Sequence, residues 1–224
     1  VGMSSDVIIL NAYSSGGALA IDAVYFPDGS VLSERNLGDL RLAAVATDGA
    51  DVINDDSSAS TLVGKAGNDT LEGRNGDDIL VGGTGNDVLY GSAGNDVYRF
   101  DLGDGQDVVR DSGYTYGGTD TIEFGAGILP ADVTVVQADN GNDLVLKING
   151  TTDQVTLDGT VNSSASRIEQ VRFDDGTVWT NAELFARATA PTTGNDLFYG
   201  DYDANTLSGG AGNDTLEGRN GDDI

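Results

Sequence analysis

The sequence predicts an all-β protein. It reads as a parallel β-roll of nonapeptide repeats, two sheets built from 18-residue coils, joined to a small β-rich capping module with a short helix. Three observations predict it. From Gly64 the chain runs GKAGNDTLE, GRNGDDILV, GGTGNDVLY and GSAGNDVYR, four nine-residue units with no gap. The eighth residue of each is apolar: Leu71, Leu80, Leu89 and Tyr98. The stretch AGNDTLEGRNGDDI at 66–79 recurs letter for letter at 211–224, 145 residues on, with β-like alternation in between. A fixed short period marks stacked coils, because one unit cannot bury its apolar residue alone.

In chain order, residues 1–45 read as the tail of a preceding β-rich module. Ile21–Leu37, IDAVYFPDGSVLSERNL, shares the skeleton I-x-x-V-x-F-x-D-G-x-V with Ile168–Leu184. Residues 46–123 form the first roll array. Gly49, Asp51 and Ile53 open it; the unit Asp55–Val63 has Ser60 where Asp belongs. Short insertions precede the units of Gly105/Asp107/Val109 and Gly118/Asp120/Ile122. Residues 124–190 form the β-rich module. Strands are expected over 131–138, 143–149, 154–158, 171–173 and 177–179, with turns at Asn140-Gly141, Asn149-Gly150 and Asp174-Asp175-Gly176. Thr180 caps a short helix over 181–188 with Leu184 facing in, and Ser33 caps its counterpart in the earlier copy. Residues 191–224 start a second array, with Asp196, Asn205, Asp214 and Asp223 in the Asp column, and break off in mid-unit at Ile224. The chain therefore reads as slightly more than one period of a tandem array from a larger protein.

Within a unit, glycines at the first and fourth positions bend six residues into a turn, and the last three make a strand. Stacking then sets alternate apolar residues on opposite sides, Leu71 with Leu89 and Leu80 with Tyr98. It also sets each Asp beneath the Asp two units later: Asp51 with Asp69, Asp69 with Asp87, Asp78 with Asp96, Asp87 with Asp107. Carboxylates about 4–5 Å apart repel by roughly 3–4 kcal/mol at an effective dielectric near 20. A divalent cation reverses the sign. Calcium takes six to eight oxygens in loose geometry, whereas magnesium demands a tight octahedron and keeps its waters.

Composition agrees. The net charge is −26, from 37 acidic and 11 basic residues, which excludes a nucleic-acid partner and favours bound cations. No cysteine is present to form a disulfide, and no histidine to serve a catalytic triad or a zinc site. No apolar run approaches a membrane span, and the N-terminus shows no signal-peptide pattern, so export is expected by another route or from a signal outside this segment.

These units resemble the haemolysin-type calcium-binding nonapeptide G-G-x-G-x-D-x-U-x of the repeats-in-toxin (RTX) family. The resemblance covers 46–122 and 191–224 and is densest at 64–99. The stretch with DLGDGQDVV, GTDTIEFGAGILPADV, GNDLVLKING and IEQVRFDDGTVW is similar to the haemolysin-type calcium-binding-protein-related domain. The resemblance implies several calcium ions between alternate units, an extracellular or cell-surface location and export by a type I secretion system. It assigns carboxylate ligands to Asp69, Asp78, Asp87 and Asp96, and carbonyl ligands to Gly64, Gly67, Gly73, Gly76, Gly82, Gly85, Gly91 and Gly94. Asp51, Asp107, Asp120, Asp196, Asp214 and Asp223 extend the set, while sites at Ser60 and Asn205 should be weak or empty.

Other features have plainer readings. Asp143 in GNDLV mimics a repeat but suits a hairpin. Asp174-Asp175 is a turn rather than a paired-carboxylate acid–base site. Trp179, Phe173 and Tyr25 suit a core, and Tyr114 and Tyr116 are candidates for a partner contact. No nucleophile–base pair occurs, so the segment is expected to be non-enzymatic. It would serve as a calcium-dependent folding switch and spacer in a secreted protein. The alternatives are a tandem surface adhesin or S-layer array, or the tail of an extracellular enzyme (lipase, protease, epimerase) or a cytolysin.

Overall fold

A computed structural model describes residues 46–55, 59–111, 118–138, 141–161, 163 and 166–224, and the backbone of three further strands within the first 45 residues. The expected helix after Ser33 and the tyrosines Tyr114 and Tyr116 lie outside the described residues.

The described strands are β1 (Ile9–Ser15), β2 (Ala18–Tyr25), β3 (Val31–Ser33), β4 (Val52–Asn54), β5 (Thr61–Ala66), β6 (Thr70–Asn75), β7 (Ile79–Thr84), β8 (Val88–Ala93) and β9 (Val97–Phe100). They continue with β10 (Gln106–Val109), β11 (Thr121–Phe124), β12 (Val133–Gln137), β13 (Leu144–Ile148), β14 (Gln154–Leu157), β15 (Gln170–Arg172) and β16 (Val178–Thr180). Helix α1 (Asn181–Ala188) follows, then β17 (Leu197–Tyr199) and β18 (Thr215–Glu217). Odd and even units feed different sheets. Strands β4, β6, β8 and β10 stack in parallel on one side, and β5, β7, β9 and β11 on the other. This is the expected two-sheet roll.

Its register follows the side chains. Leu71 pairs with Leu89, and Leu80 with Leu62 and Tyr98. Ile53, Leu62, Leu71, Leu80, Leu89 and Tyr98 form one aliphatic seam, each at most 2% exposed. The strands of the regular units run six residues rather than three, because the first three residues of the next unit continue the ladder before the turn begins.

The module does not sit beside the roll; it extends both sheets. Strand β14 pairs in parallel with β10, and β13 and β12 follow antiparallel. Strand β15 pairs in parallel with β11, and β16 follows antiparallel. The strand spans expected there agree closely with those observed, as do the turns at Asn149-Gly150 and Asp174-Asp175-Gly176, while Asn140 lies outside the described residues. The seam thickens into an aromatic cluster: Phe100 meets Phe124 at 6.0 Å, Phe124 meets Phe173 at 5.4 Å, and Phe173 meets Trp179 at 4.6 Å. Helix α1 closes this end. Thr180 accepts from the Glu183 N–H while Glu183 accepts from the Thr180 N–H, a capping box, and Leu184 is fully buried. The second array leans on the module through Tyr199, whose N–H and C=O both bond the Gln137 amide, and through an Arg167–Asp203 ion pair at 2.6 Å.

The longer period is visible in the pairing. In β2–β3, Ala23 faces Ser33 and Tyr25 faces Val31; 147 residues on, in β15–β16, Gln170 faces Thr180 and Arg172 faces Val178. In β4–β6, Val52 faces Thr70 and Asn54 faces Glu72; 145 residues on, in β17–β18, Leu197 faces Thr215 and Tyr199 faces Glu217.

Coil spacing is set by backbone approach at the fourth position. A Cβ on Gly85, where φ is +149°, would stand 1.7 Å from the Gly67 carbonyl oxygen. Position two is also left-handed, but it tolerates Lys65, Arg74 and Ser92 at φ of 73–81°. Side chains there carry a cost of about 1 kcal/mol. The expected outcome is asymmetric. Gly85→Ala should abolish the cooperative transition or lower its midpoint sharply, whereas Ser92→Gly should stabilise by about 0.5–1 kcal/mol. Urea unfolding in saturating calcium, followed by circular dichroism, measures both.

Candidate metal centre

In the roll, β6, β7, β8, β9 and β11 are each preceded by the Asp of their unit, Ser60 precedes β5 and Asp107 lies within β10; Asp69, Asp78, Asp87, Asp96, Asp107 and Asp120 are at most 4% exposed. Burial of a bare carboxylate is costly unless it is compensated. Half of the compensation is visible. Oδ1 of Asp69 accepts from the Asp51 N–H at 2.8 Å, Asp87 from Asp69 at 2.7 Å, and Asp107 from Asp87 at 3.0 Å. On the other side Asp78 accepts from Ser60, Asp96 from Asp78 and Asp120 from Asp96, each at 2.8 Å. All the coil-to-coil Asp pairs expected from the sequence are therefore bonded, in two ladders.

The other oxygen of each carboxylate is different. Oδ2 of Asp69, Asp78, Asp87, Asp96 and Asp107 is buried with no hydrogen-bond partner. A row of such atoms, all acceptors, fits a hard cation that prefers oxygen ligands, and the glycine-lined turns bring carbonyls alongside. The first-position glycines make room for these atoms. A Cβ on Gly64, Gly73, Gly82 or Gly91 would lie 2.2–2.4 Å from Oδ2 of the Asp five residues ahead. Gly67, Gly76, Gly85 and Gly94 occupy the fourth position at positive φ, and Gly85 and Gly94 stack onto the carbonyls of Gly67 and Gly76.

Electrostatics registers the missing partner. Burial, against the lowering pull of the backbone N–H, pushes Asp78 up to about 7 and Asp87 and Asp96 to about 6. Burial also raises Asp69. Asp107 reaches about 8, again through burial first, with the charges of Asp87, Asp104 and Asp153 adding to it.

The ends of the ladders are less regular. Asp51 and Asp196 close their own turns: each carboxylate accepts from the N–H and hydroxyl of a threonine four residues earlier, Thr47 and Thr192. Asp214 accepts from the Asp196 N–H at 3.0 Å and Asp223 from Asn205 at 2.9 Å, both half-buried in the second array. Asp143 accepts from the Gly159 N–H in a turn, and Asp174-Asp175 is an exposed turn, as expected.

Three kinds of residue escaped the sequence reading. The first is an outer ladder at position five. The side-chain oxygens of Asn68, Asn86 and Asn95 accept from the N–H of Asn86, Gln106 and Thr119, and Asp77 accepts from Asn95. The Asn or Asp before Asp69, Asp78, Asp87 and Asp96 was its signal. The second is Glu169, which accepts from the Asp120 N–H at 2.8 Å and so continues one ladder into the module. Its signal was E-x-V, a repeat-like acid two residues before an apolar one. The third is the pair Asp55 and Asp111, aspartates at position one of their units. Asp55 stands at the position that, in the regular units, faces the position-six carboxylate. It is 5% exposed with an unpartnered Oδ2, and its charge acts on Asp78. A second carboxylate therefore acts on Asp78 in the coil where the sequence has Ser60 in place of Asp.

A buried, glycine-spaced carboxylate ladder in a parallel roll defines a cation-binding repeat module. The chain belongs to the RTX proteins: residues 45–80, 72–108 and 192–224 match the RTX calcium-binding nonapeptide repeat, and 143–183 match the haemolysin-type calcium binding protein related domain. It is 35% identical over 121 residues to the iron-regulated protein FrpA of Neisseria meningitidis serogroup C, covering 51% of this chain and 10% of that protein. The chain thus spans about a tenth of that relative's length. Among solved structures it is similar to the AlgE6R3 subunit of the Azotobacter vinelandii mannuronan C5-epimerase, with 29% identity, TM-score 0.40, and 51% and 74% of the two chains covered. It is also similar to the extracellular lipase LipA of Serratia marcescens, with 27% identity, TM-score 0.40, and 72% and 23% covered. Among the described residues no helix is long and apolar enough to cross a membrane.

Two outcomes are expected. The raised carboxylates make folding without metal take up protons. That contribution is fully present below the ordinary Asp range near 4 and is lost as pH rises through about 6–8. Metal-free protein should gain β-structure by circular dichroism on acidification from pH 8 to pH 5, and calcium affinity should fall over the same window. Secondly, Asp55→Gly should weaken calcium binding at the first coils, and adding Ser60→Asp should restore it by rebuilding the regular Gly/Asp arrangement. Calorimetric titration of the single and double variants checks this.

Proposed function

We propose that this chain is a calcium-folded segment of a larger exported protein, a switch and spacer that is unfolded at cytosolic calcium and folds outside the cell. The observation that carries it is the row of buried Oδ2 atoms, each on a carboxylate whose Oδ1 already accepts from the N–H of the preceding coil. Asp69, Asp78, Asp87, Asp96 and Asp107 supply the carboxylates, with Asp51, Asp120, Asp196, Asp214 and Asp223 at the array ends, and the turn glycines supply carbonyls. The carboxylates bear on stability in opposite ways with and without calcium. Without it, stacked charges open the coils; with it, binding free energy becomes folding free energy. An open, self-repelling chain suits threading through a type I secretion channel.

The register repeats at 145 and 147 residues favour a tandem array, in which this unit recurs along a surface protein, over a single short tail on an enzyme. Export by the type I route, an extracellular or cell-surface location and further copies of the module in the parent all belong to this reading.

Circular dichroism during a calcium titration tests it. Strand signal should rise cooperatively toward millimolar calcium and vanish in excess EGTA at pH 8. Native-like structure that persists in EGTA at that pH would sink the proposal.

A further inference from the structure

The last coil of the first array departs from the repeat at its first position as well as by its insertion. Its first position holds Asp111 where the regular units have glycine, and its sixth position keeps Asp120. A side chain at position one is directed at the carboxylate at position six, as the four regular glycines show. Two carboxylates therefore meet within one unit, and Asp96 of the coil before adds a third. The oxygens of Asp96, Asp111 and Asp120 all lie within 4.8 Å of one another, and all three residues are buried, at 0%, 4% and 4% exposure.

Independently of the cluster, Asp96 presents an oxygen with nothing to bond. Its Oδ1 is taken by the Asp78 N–H, while Oδ2 is buried and unpartnered. Among the described residues no lysine or arginine forms an ion pair with any of the three. Oxygens on opposite sides of a calcium ion stand about 4.6–5.2 Å apart, so one ion fits among the three.

We infer that Asp96, Asp111 and Asp120 form a three-carboxylate calcium site at the seam between roll and module, different in kind from the regular inter-coil sites. It rests on the calcium reading above and adds a ligand, Asp111, from a position that in the regular units carries no side chain. Its location gives it a task. Asp111 follows β10 in one sheet and Asp120 precedes β11 in the other, so one ion ties the two sheets together. The Asp120 N–H also bonds Glu169 at 2.8 Å, and the Glu169 N–H bonds the Asp120 carbonyl at 3.2 Å, at the entry to β15. An ion here holds the last coil in the shape on which the β15–β16 ribbon is laid. The site therefore makes docking of the module calcium-dependent in its own right, separately from folding of the coils.

Hydrogen exchange read by mass spectrometry over a calcium series separates the two events. In wild type, protection should appear in β6–β8 and in β15–β16. In Asp111→Asn, and in Asp111→Gly, which restores the residue of the regular units, the calcium needed to protect β15–β16 should rise about tenfold, since ligand charge count sets affinity. The requirement of β6–β8 should not change. Native mass spectrometry at the intermediate calcium level should count one ion fewer. If Asp111→Asn does not fold, Asp111→Gly decides. An unchanged requirement at β15–β16, or an equal shift at β6–β8, overturns the site. Protection in wild type that ignores calcium altogether overturns the calcium reading itself, a different result from either.

Discussion

The roll depends on one spatial coincidence: position one and position six of each turn point into the same small volume. In the regular units that volume holds Oδ2 of the Asp, and the first residue must be glycine because a Cβ there would come within 2.2–2.4 Å of the oxygen. Everything else in the turn serves this placement. Oδ1 accepts from the preceding coil's N–H, so the carboxylate cannot swing away. The apolar side chain two residues on is locked in the seam, so the backbone cannot slide. The result is a fixed column of acceptors with no protein donor, a charge pattern that opposes folding until a cation enters it.

Pairs of titratable groups held this way bind metal and proton in competition. The same burial that lifts Asp78 to about 7 is the burial that keeps water from a bound ion. The aliphatic seam is thin, one side chain per strand, and cannot alone offset the stacked charges along the array. On the calcium reading proposed above, stability of the roll is tied to its ligand rather than to its core, which is what a conditional fold requires.

Much of this was legible in the sequence because its signals are periodic. A nine-residue spacing dictates which Asp faces which, and every pair read from it is bonded. The hairpins and α1 of the module were legible from turn residues and the Thr180 cap. What was not legible came from substitutions that look like losses. Ser60 reads as a missing ligand, and the sequence alone does not show that the buried Asp55 carboxylate acts on Asp78. Asp111 lies beside an insertion that obscures its register, and only the pairing of β10 and β11 with their neighbours shows it to be position one of its coil. The extension of both sheets through β14 and β15 was likewise hidden, since strand patterning does not tell a strand which sheet edge it will meet.

The two ladders end differently, and the reason is chemical. Along one sheet the residue facing Asp107 in the next strand is Val155, so that ladder stops at Asp107. Burial and the surrounding charges raise this one to about 8. Along the other sheet Glu169 stands in the Asp column beyond Asp120, one methylene longer, and bonds the Asp120 N–H as the regular aspartates do. The module thus grows from the roll by replacing acid with valine on one side and lengthening the acid on the other. On the first side the seam takes over, with Val155 buried beside Leu157. On the second the carboxylate column persists through the junction. Coils and module are joined through a valine beyond Asp107 along one sheet and through a glutamate beyond Asp120 along its partner.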